Sequence, residues 1–195
     1  MKKKSTLREW VESIVVAAVL VIALKTFFFQ MYKIPTTSMV PTLMPGDKIF
    51  VSKLSYGPRL PFGQIRLPGF SKIQRGDIVV FVPPPEVKQP WYRRKPYIKR
   101  VIGMPGEIVQ IRKGNIYIDG KEVTLPEIAA FFYYNQGENG QSEKEVVVPE
   151  DKYFCLGDNS ISSKDSRYWG FVDKKEIIGE AIFIWWPPKR IGMIE

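Results

Sequence analysis

The chain has 195 residues, 45% of them apolar, which is enough for one compact core and excludes bulk disorder. Its 29 basic and 20 acidic residues give a net charge of +9. It has no histidine and one cysteine, Cys155. This excludes Ser-His-Asp and Cys-His catalysis, histidine pH switches, an internal disulfide, and any histidine- or cysteine-held metal.

Lys2, Lys3, Lys4 and Arg8 precede an uninterrupted apolar run over residues 14–24. Extended over 10–29 the run becomes twenty residues, about 30 Å as a helix at roughly 1.5 Å per residue. Its polar interruptions, Glu12, Ser13, Lys25 and Thr26, fall near the ends, and Trp10 and Phe27 to Phe29 suit an interface. A cleaved signal peptide would need small residues after the run, but 26–32 are bulky. A buried soluble helix would not explain the lysine cluster. The reading is an uncleaved transmembrane anchor over 10–30. The positive-inside rule leaves 1–9 in the cytoplasm and 31–195 on the extracytoplasmic side.

From residue 34 onward no long helical period is found. Short β-branched and aromatic runs recur between Gly, Pro and Asp turns. They predict strands over 48–51, 78–82, 97–102, 108–111, 116–118, 146–148, 153–156 and 181–186. The pair about Lys113-Gly114-Asn115 reads as a hairpin. Cys155 reads as a small buried hydrophobe in its strand. The expected fold is mainly β: an antiparallel sheet or barrel-like domain behind an N-terminal transmembrane helix. Residues 103–155 form a hairpin-containing insertion.

Residues 56–71 and 127–144 interrupt this pattern. The first, rich in Pro and Gly, reads as a surface loop. The second carries Phe131-Phe132-Tyr133-Tyr134 beside a polar segment, and either touches lipid or a partner or folds over the core. Residues 88–100 hold six basic side chains, no acid, and the aromatic Trp91, Tyr92 and Tyr97. Nucleic acid is disfavoured for a domain outside the membrane. Anionic phospholipid headgroups fit better, and a plain solvated face remains open.

Three segments carry chemistry. In Ile34-Pro35-Thr36-Thr37-Ser38-Met39-Val40-Pro41-Thr42-Leu43, two prolines bracket a hydroxyl cluster and Met39 and Leu43 pull it toward the domain. Strand 97–102 places Lys99 and Arg100 on opposite faces, so one of them meets the core. Buried arginine stays charged, whereas buried lysine can lose its proton. Residues 156–171 pack hydroxyls, Asp158, Asp165, Arg167 and Trp169 into one loop.

Together and in this order these segments resemble bacterial type I signal peptidases, membrane-bound Ser/Lys endopeptidases that remove signal peptides from exported proteins. The resemblance runs through Ser38-Met39-x-Pro41-Thr42-Leu43, Gly46-Asp47-x-Ile49-x-Val51-x-Lys53 and Arg75-Gly76-Asp77-Ile78-Val79. It continues through Lys99-Arg100-Val101-x-Gly103-x-Pro105-Gly106, Gly157-Asp158-Asn159 and Ser163-x-Asp165-Ser166-Arg167-x-Trp169-Gly170. It implies Ser38 as nucleophile, Lys99 as general base, and Ser163 as the hydroxyl orienting the base. Thr36 and the Ser38 N–H would form the oxyanion hole. Asp165 and Arg167 would form a structural ion pair with Asp158 nearby, and Ile34, Pro35, Met39, Tyr97 and Ile98 would wall the substrate pockets. It implies signal peptides of precursors as substrates and no cofactor or metal. Ser160-Ile161-Ser162 departs from the commonest family pattern, Arg-Asp-Asn, which puts the salt bridges of that loop in question.

The chemistry agrees with these roles. A serine hydroxyl needs a base, and without histidine a neutral lysine is the substitute. Free lysine titrates near 10.4, so a catalytic value of about 7–8 needs a shift of roughly 3 units, or about 4 kcal/mol. A self-cleaving SOS-type repressor shares the dyad but would need a DNA-binding domain in place of the anchor. The eukaryotic-type signal peptidase uses histidine. A non-catalytic anchored β domain would leave Ser38, Lys99 and Ser163 unexplained.

Overall fold

A computed structural model describes residues 6–58, 66–141 and 144–194, with the side chains of 6 and 22–27 outside the description. The helix α1 (Thr6–Phe27) runs into β1 (Phe29–Lys33), followed by β2 (Lys48–Ser52) and β3 (Ile78–Phe81). A short helix α2 (Pro84–Val87) leads to β4 (Tyr97–Gly103). Then come β5 (Ile108–Arg112), β6 (Asn115–Ile118), β7 (Lys121–Glu122), α3 (Pro126–Ala129), β8 (Val146–Val147) and β9 (Lys152–Leu156). The chain finishes with α4 (Ser166–Trp169), β10 (Val172–Asp173), β11 (Ile177–Trp186) and β12 (Gly192–Met193).

The described strands form two antiparallel sheets. The larger has the order β1-β2-β11-β3-β4-β9-β10, with β12 on the far part of β11. The smaller, β7-β6-β5-β8, is built from the chain between β4 and β9. The long β11 pairs with both β2 and β3, and its register slips at three places. Such bulges bend a strand and increase its twist. The larger sheet curls into a half-barrel, so that the loop after its edge strand β1 reaches the inner strand β4.

Three apolar clusters fill the layers. Ile34, Met39, Leu43, Ile49, Val51 and Val80 form one, with Ile98 packed against it. Val79, Phe81, Val101, Cys155 and Ile177 form the second, with Tyr97 packed against it. Ile102, Val109, Ile111, Tyr133, Phe154 and Leu156 join the two sheets in the third. Gly103 marks this junction: a Cβ there would come within 2.5 Å of the Val109 side chain. Strand β4 is thus covered on both faces, which is why Lys99 and Arg100 are both buried although the alternation offers the core only one of them.

The predicted strands match observed ones to within a few residues, but β1 follows the apolar helix directly and was not separated from it. The two-residue strands β7, β10 and β12 were also not foreseen. The described part of loop 127–144 folds over the core: Tyr133 is buried, while Phe132 and Tyr134 stand edge to face on the surface with ring centroids 4.8 Å apart. Part of loop 56–71 lies outside the described residues. Its start is tied down by Tyr56, whose hydroxyl donates to Asp77 at 2.6 Å.

Along α1 the apolar Trp10, Val11, Ile14, Val15, Val16, Val19, Leu20 and Val21 are exposed. Among the described residues no helix is long and apolar enough to cross a membrane.

Candidate active site

The segment from Ile34 to Asp47 is a short loop closed on itself. The Ile34 N–H donates to the Asp47 carbonyl and the Gly46 N–H to the Ile34 carbonyl, both at 2.8 Å. Arg190 clamps it from the C-terminal side, donating to Asp47 Oδ1 at 2.9 Å and to the Thr42 carbonyl at 3.0 Å. Met39 and Leu43 are fully buried and peg the loop to the first apolar cluster. Ser38 sits between these fixed points.

Lys99 reaches Ser38 from β4. Its Nζ lies 2.7 Å from Ser38 Oγ and donates to the Ile98 carbonyl at 2.8 Å. Only 3% of Lys99 and 7% of Ser38 is exposed. Burial pushes the Lys99 ammonium down to about 8, against a smaller opposing pull from the Asp165 and Asp158 carboxylates. Desolvation wins because it penalises the charged form directly, while both carboxylates are bound to arginines.

Those arginines make two buried pairs. Arg167 binds Asp165 through Nε and Nη2, each at 2.8 Å. Arg100 binds Asp158 through Nε at 2.9 Å and Nη2 at 2.8 Å. The Asp165–Arg167 pair that the resemblance implies is formed, and Asp158, grouped with it, is instead bound by Arg100. The reason is topological: Arg100 lies opposite Leu156 in the β4–β9 register, two residues before Asp158. Thr42 Oγ1 also donates to Asp158, at 2.6 Å, tying the Ser38 loop to the same pair. Arg100 was missed as a site residue because only one face of its strand was assumed to be buried.

The atypical Ser160-Ile161-Ser162 segment has a definite job. The Arg167 guanidinium donates to Ser160 Oγ and to the Ser160 and Tyr134 carbonyls, the latter two at 2.8 Å. The Tyr134 N–H donates to Ser160 Oγ at 2.8 Å. Ser160 thus bolts loop 127–144 onto the arginine behind the site, with no salt bridge of its own.

Asn159, quoted in a family motif but given no role from the sequence, holds the nucleophile turn. Its N–H donates to the Ser38 carbonyl and its Nδ2 to the Thr37 carbonyl, both at 3.1 Å. Ser163 is buried in this wall, and its Oγ has no hydrogen-bond partner among the described residues. The contact with Lys99 that the resemblance implies is not formed. A Cβ on Gly157 would lie 2.3 Å from Ser163 Oγ and 2.4 Å from the Ser38 carbonyl, so glycine is required where this wall meets the nucleophile.

Thr36 is exposed, and its Oγ1 lies 3.4 Å from Ser38 Oγ. Of the expected pocket residues, Ile34, Met39 and Ile98 converge on the first apolar cluster. Pro35 is exposed beside them. Tyr97 packs in the second cluster, on the opposite face of β4 from Ile98, as strand alternation demands.

The family profile described as signal peptidase, peptidase S26, matches residues 7–186. The probable signal peptidase I-2 of Synechocystis sp. is 37% identical over 198 residues, covering 99% of this chain and 82% of the relative. The signal peptidase I of Bacillus licheniformis is 37% identical over 197 residues, covering 97% of this chain and 94% of the relative. Among solved structures, a signal peptidase I from Enterococcus faecalis is 34% identical, with a TM-score of 0.44 over 56% of this chain and 97% of that one.

Proposed function

The chain belongs to the signal peptidase family, peptidase S26, and from that premise we propose how its residues cut a precursor. As a member of the family it is a serine endopeptidase that removes signal peptides from precursor proteins.

In the proposed mechanism Lys99 is the base and Ser38 the nucleophile. The carrying observation is the 2.7 Å separation of Lys99 Nζ and Ser38 Oγ in a site almost closed to water. With Lys99 neutral, the Ser38 hydroxyl proton moves to Nζ as Oγ bonds to the carbonyl carbon of the scissile peptide. The resulting ammonium then protonates the departing amine, and the ester that remains is hydrolysed by water activated through the same lysine. Negative charge on the carbonyl oxygen needs donors. The Ser38 N–H has no acceptor among the described residues, and the Thr36 hydroxyl stands beside Oγ. Ser163, buried and unpartnered beside the Ser38 carbonyl, is the hydroxyl available to orient the amine when substrate docks.

The substrate lies extended in the groove between β1 and β4. Strand β1 has β2 on one edge only, and β4 pairs with β9 from Arg100 onward, which leaves Tyr97 to Lys99 with an open edge. Both edges can add a strand. The half-buried Ile98 offers a shallow apolar wall for small side chains, with Pro35 at the rim, the buried Ile34 and Met39 packed beneath it and Tyr97 supporting from behind. The exposed apolar face of α1 supports its assignment as the membrane anchor over 10–30. Residues 1–9 are then cytoplasmic, 31–195 are extracytoplasmic with 103–155 as the insertion subdomain, and membrane phospholipids are partners.

The test is cleavage of a precursor by the full chain. Ser38→Ala, Lys99→Ala and Lys99→Arg should each abolish cleavage in a folded protein, since a guanidinium cannot act as base near neutrality. Wild-type cleavage by any of the three would refute the dyad.

A further inference from the structure

An open cavity of about 510 Å³ lies between the leading ends of β1 and β4. Gln30 and Tyr32 line one side, Trp91, Arg94 and Pro96 the other, and Lys53 also borders it. These residues precede the reacting ones on both segments: Tyr32 stands six positions before Ser38, and Pro96 and Arg94 stand three and five before Lys99. The cavity therefore lies at the start of the two segments that carry Ser38 and Lys99 further on, where a strand laid between β1 and β4 would enter. It is also the end nearest α1, because the Lys53 N–H donates to the Phe28 carbonyl at 2.9 Å, one residue after the helix.

The chemistry of this end differs from that of the pocket at Ser38. Two cations and no acid line it. Arg94 spends its Nε on the Gln89 carbonyl at 2.9 Å, and its terminal amino groups have no acceptor among the described residues. Glu86, the acid nearest in sequence, turns its carboxylate to the Lys95 N–H at 3.3 Å and makes no ion pair with Arg94 among those residues. Tyr32 and Trp91 add aromatic faces, and Trp91 is 81% exposed. A free guanidinium beside aromatic walls suits a carboxylate carried on a short apolar stem.

We propose that this cavity is an anionic subsite for the precursor, taking an Asp or Glu side chain about four to six residues before the scissile bond. Extended chain advances about 3.3 Å per residue, so Arg94 lies at most about 16 Å along the groove from Lys99. The upstream direction follows from α1: the apolar part of a signal peptide occupies the same lipid layer as the anchor, so the upstream residues lie at the α1 end. The inference rests on the proteolytic reading of Ser38 and Lys99 and on the proposed anchoring by α1, and adds a preference that reading does not contain.

The experiment uses the full chain in nonionic detergent. The soluble peptides have small residues at the first and third positions before the cut and differ only in Asp, Asn or Lys at the fourth, fifth or sixth. At one of these positions the Asp peptide should show a KM about three- to fivefold below that of the Lys peptide, the scale of one partly exposed ion pair. Arg94→Glu should invert that order, with ratios taken against the Asn peptide. Equal KM for all three residues at every position overturns the subsite, as does an Arg94→Glu defect that ignores peptide charge. Indifference to peptide charge, combined with weaker binding of Arg94→Glu than of wild type to phosphatidylglycerol vesicles and equal binding of the two to phosphatidylcholine vesicles, would assign these cations to lipid and overturn it too. Wild-type cleavage by Ser38→Ala in the same assay would instead bring down the underlying mechanism, and the subsite with it.

Discussion

Replacing Lys99 by Met should stabilise the protein at neutral pH by an amount that shrinks as the solution is made alkaline. Lys99 titrates near 10.5 when unfolded and at about 8 when buried against Ser38. Because the folded state holds this proton less tightly than the unfolded chain does, stability rises with pH between the two values. Below pH 8 the full penalty applies, and 2.5 units at about 1.4 kcal/mol each come to about 3.4 kcal/mol at pH 7. At pH 9.5 about 1.4 kcal/mol of it remains, so the wild type should gain about 2 kcal/mol on the Met variant across that interval. Lys99 is only 3% exposed, so solvent screening removes little of this. Urea unfolding of both proteins at pH 7 and pH 9.5 measures it, and other titrating groups cancel in the difference. A gap between wild type and variant that is the same at both pH values would show that the amine is not held neutral by burial, and the proposed base would lose its physical footing.

The same titration should govern catalysis: kcat/KM for a soluble peptide should rise with unit slope to a plateau above about pH 8. A profile flat from pH 6 to 10 would place the base elsewhere. Thr36→Val should lower kcat by about 10² with little change in KM, if its hydroxyl donates to the oxyanion and not to the bound peptide. Steady-state kinetics separate the two. Asp165→Ala leaves the fully buried Arg167 without its carboxylate and should cost about 3–5 kcal/mol, seen as a lower unfolding midpoint. A loss under 1 kcal/mol would mean that Ser160 and Tyr134 alone satisfy the guanidinium.

The runs of β-branched and aromatic residues between Gly-Asp turns located the inner strands well, because those strands have two covered faces and leave a dense local signal. Strand β1 was hidden for the opposite reason. Its exposed and half-buried residues, 29–33, continue the aromatic tail of α1 with no Gly, Pro or Asp in the sequence to mark the turn at Phe28. In the site, Ser38 and Lys99 were named through the resemblance, since a Ser/Thr/Pro segment and one strand lysine carry no mutual distance of their own. Arg100 could have been found by asking what balances Asp158, since the one arginine of its loop, Arg167, was already assigned to Asp165. Ser160 could not, because its value comes from Tyr134 and Arg167, and pairing those two with it depends on how loop 127–144 closes. Tyr97 shows the limit of grouping neighbours: adjacent to Ile98 in sequence, it points to the other side of the sheet.

Burial drives Lys99 to lose its proton, and the pairing of the other buried charges leaves that effect unopposed by a salt bridge. Lys99 and Arg100 are neighbours on one strand, and both are almost wholly enclosed. Burial alone would penalise either cation. Arg100 keeps its charge because Asp158 meets it with both oxygens, and the neighbouring Asp165 is taken in the same way by Arg167. Each carboxylate near the site is thereby paired, so neither is left to form a salt bridge with Lys99, whose own partners are a hydroxyl and a carbonyl. Removing either arginine would free a carboxylate for the amine, raise its affinity for the proton, and return the base to its inert ammonium form. The two ion pairs thus tune the nucleophile's base although neither touches the scissile bond. The double variant Arg167→Met with Asp165→Asn, which deletes the pair without freeing a carboxylate, should keep the alkaline shoulder of the pH profile closer to wild type than Arg167→Met alone.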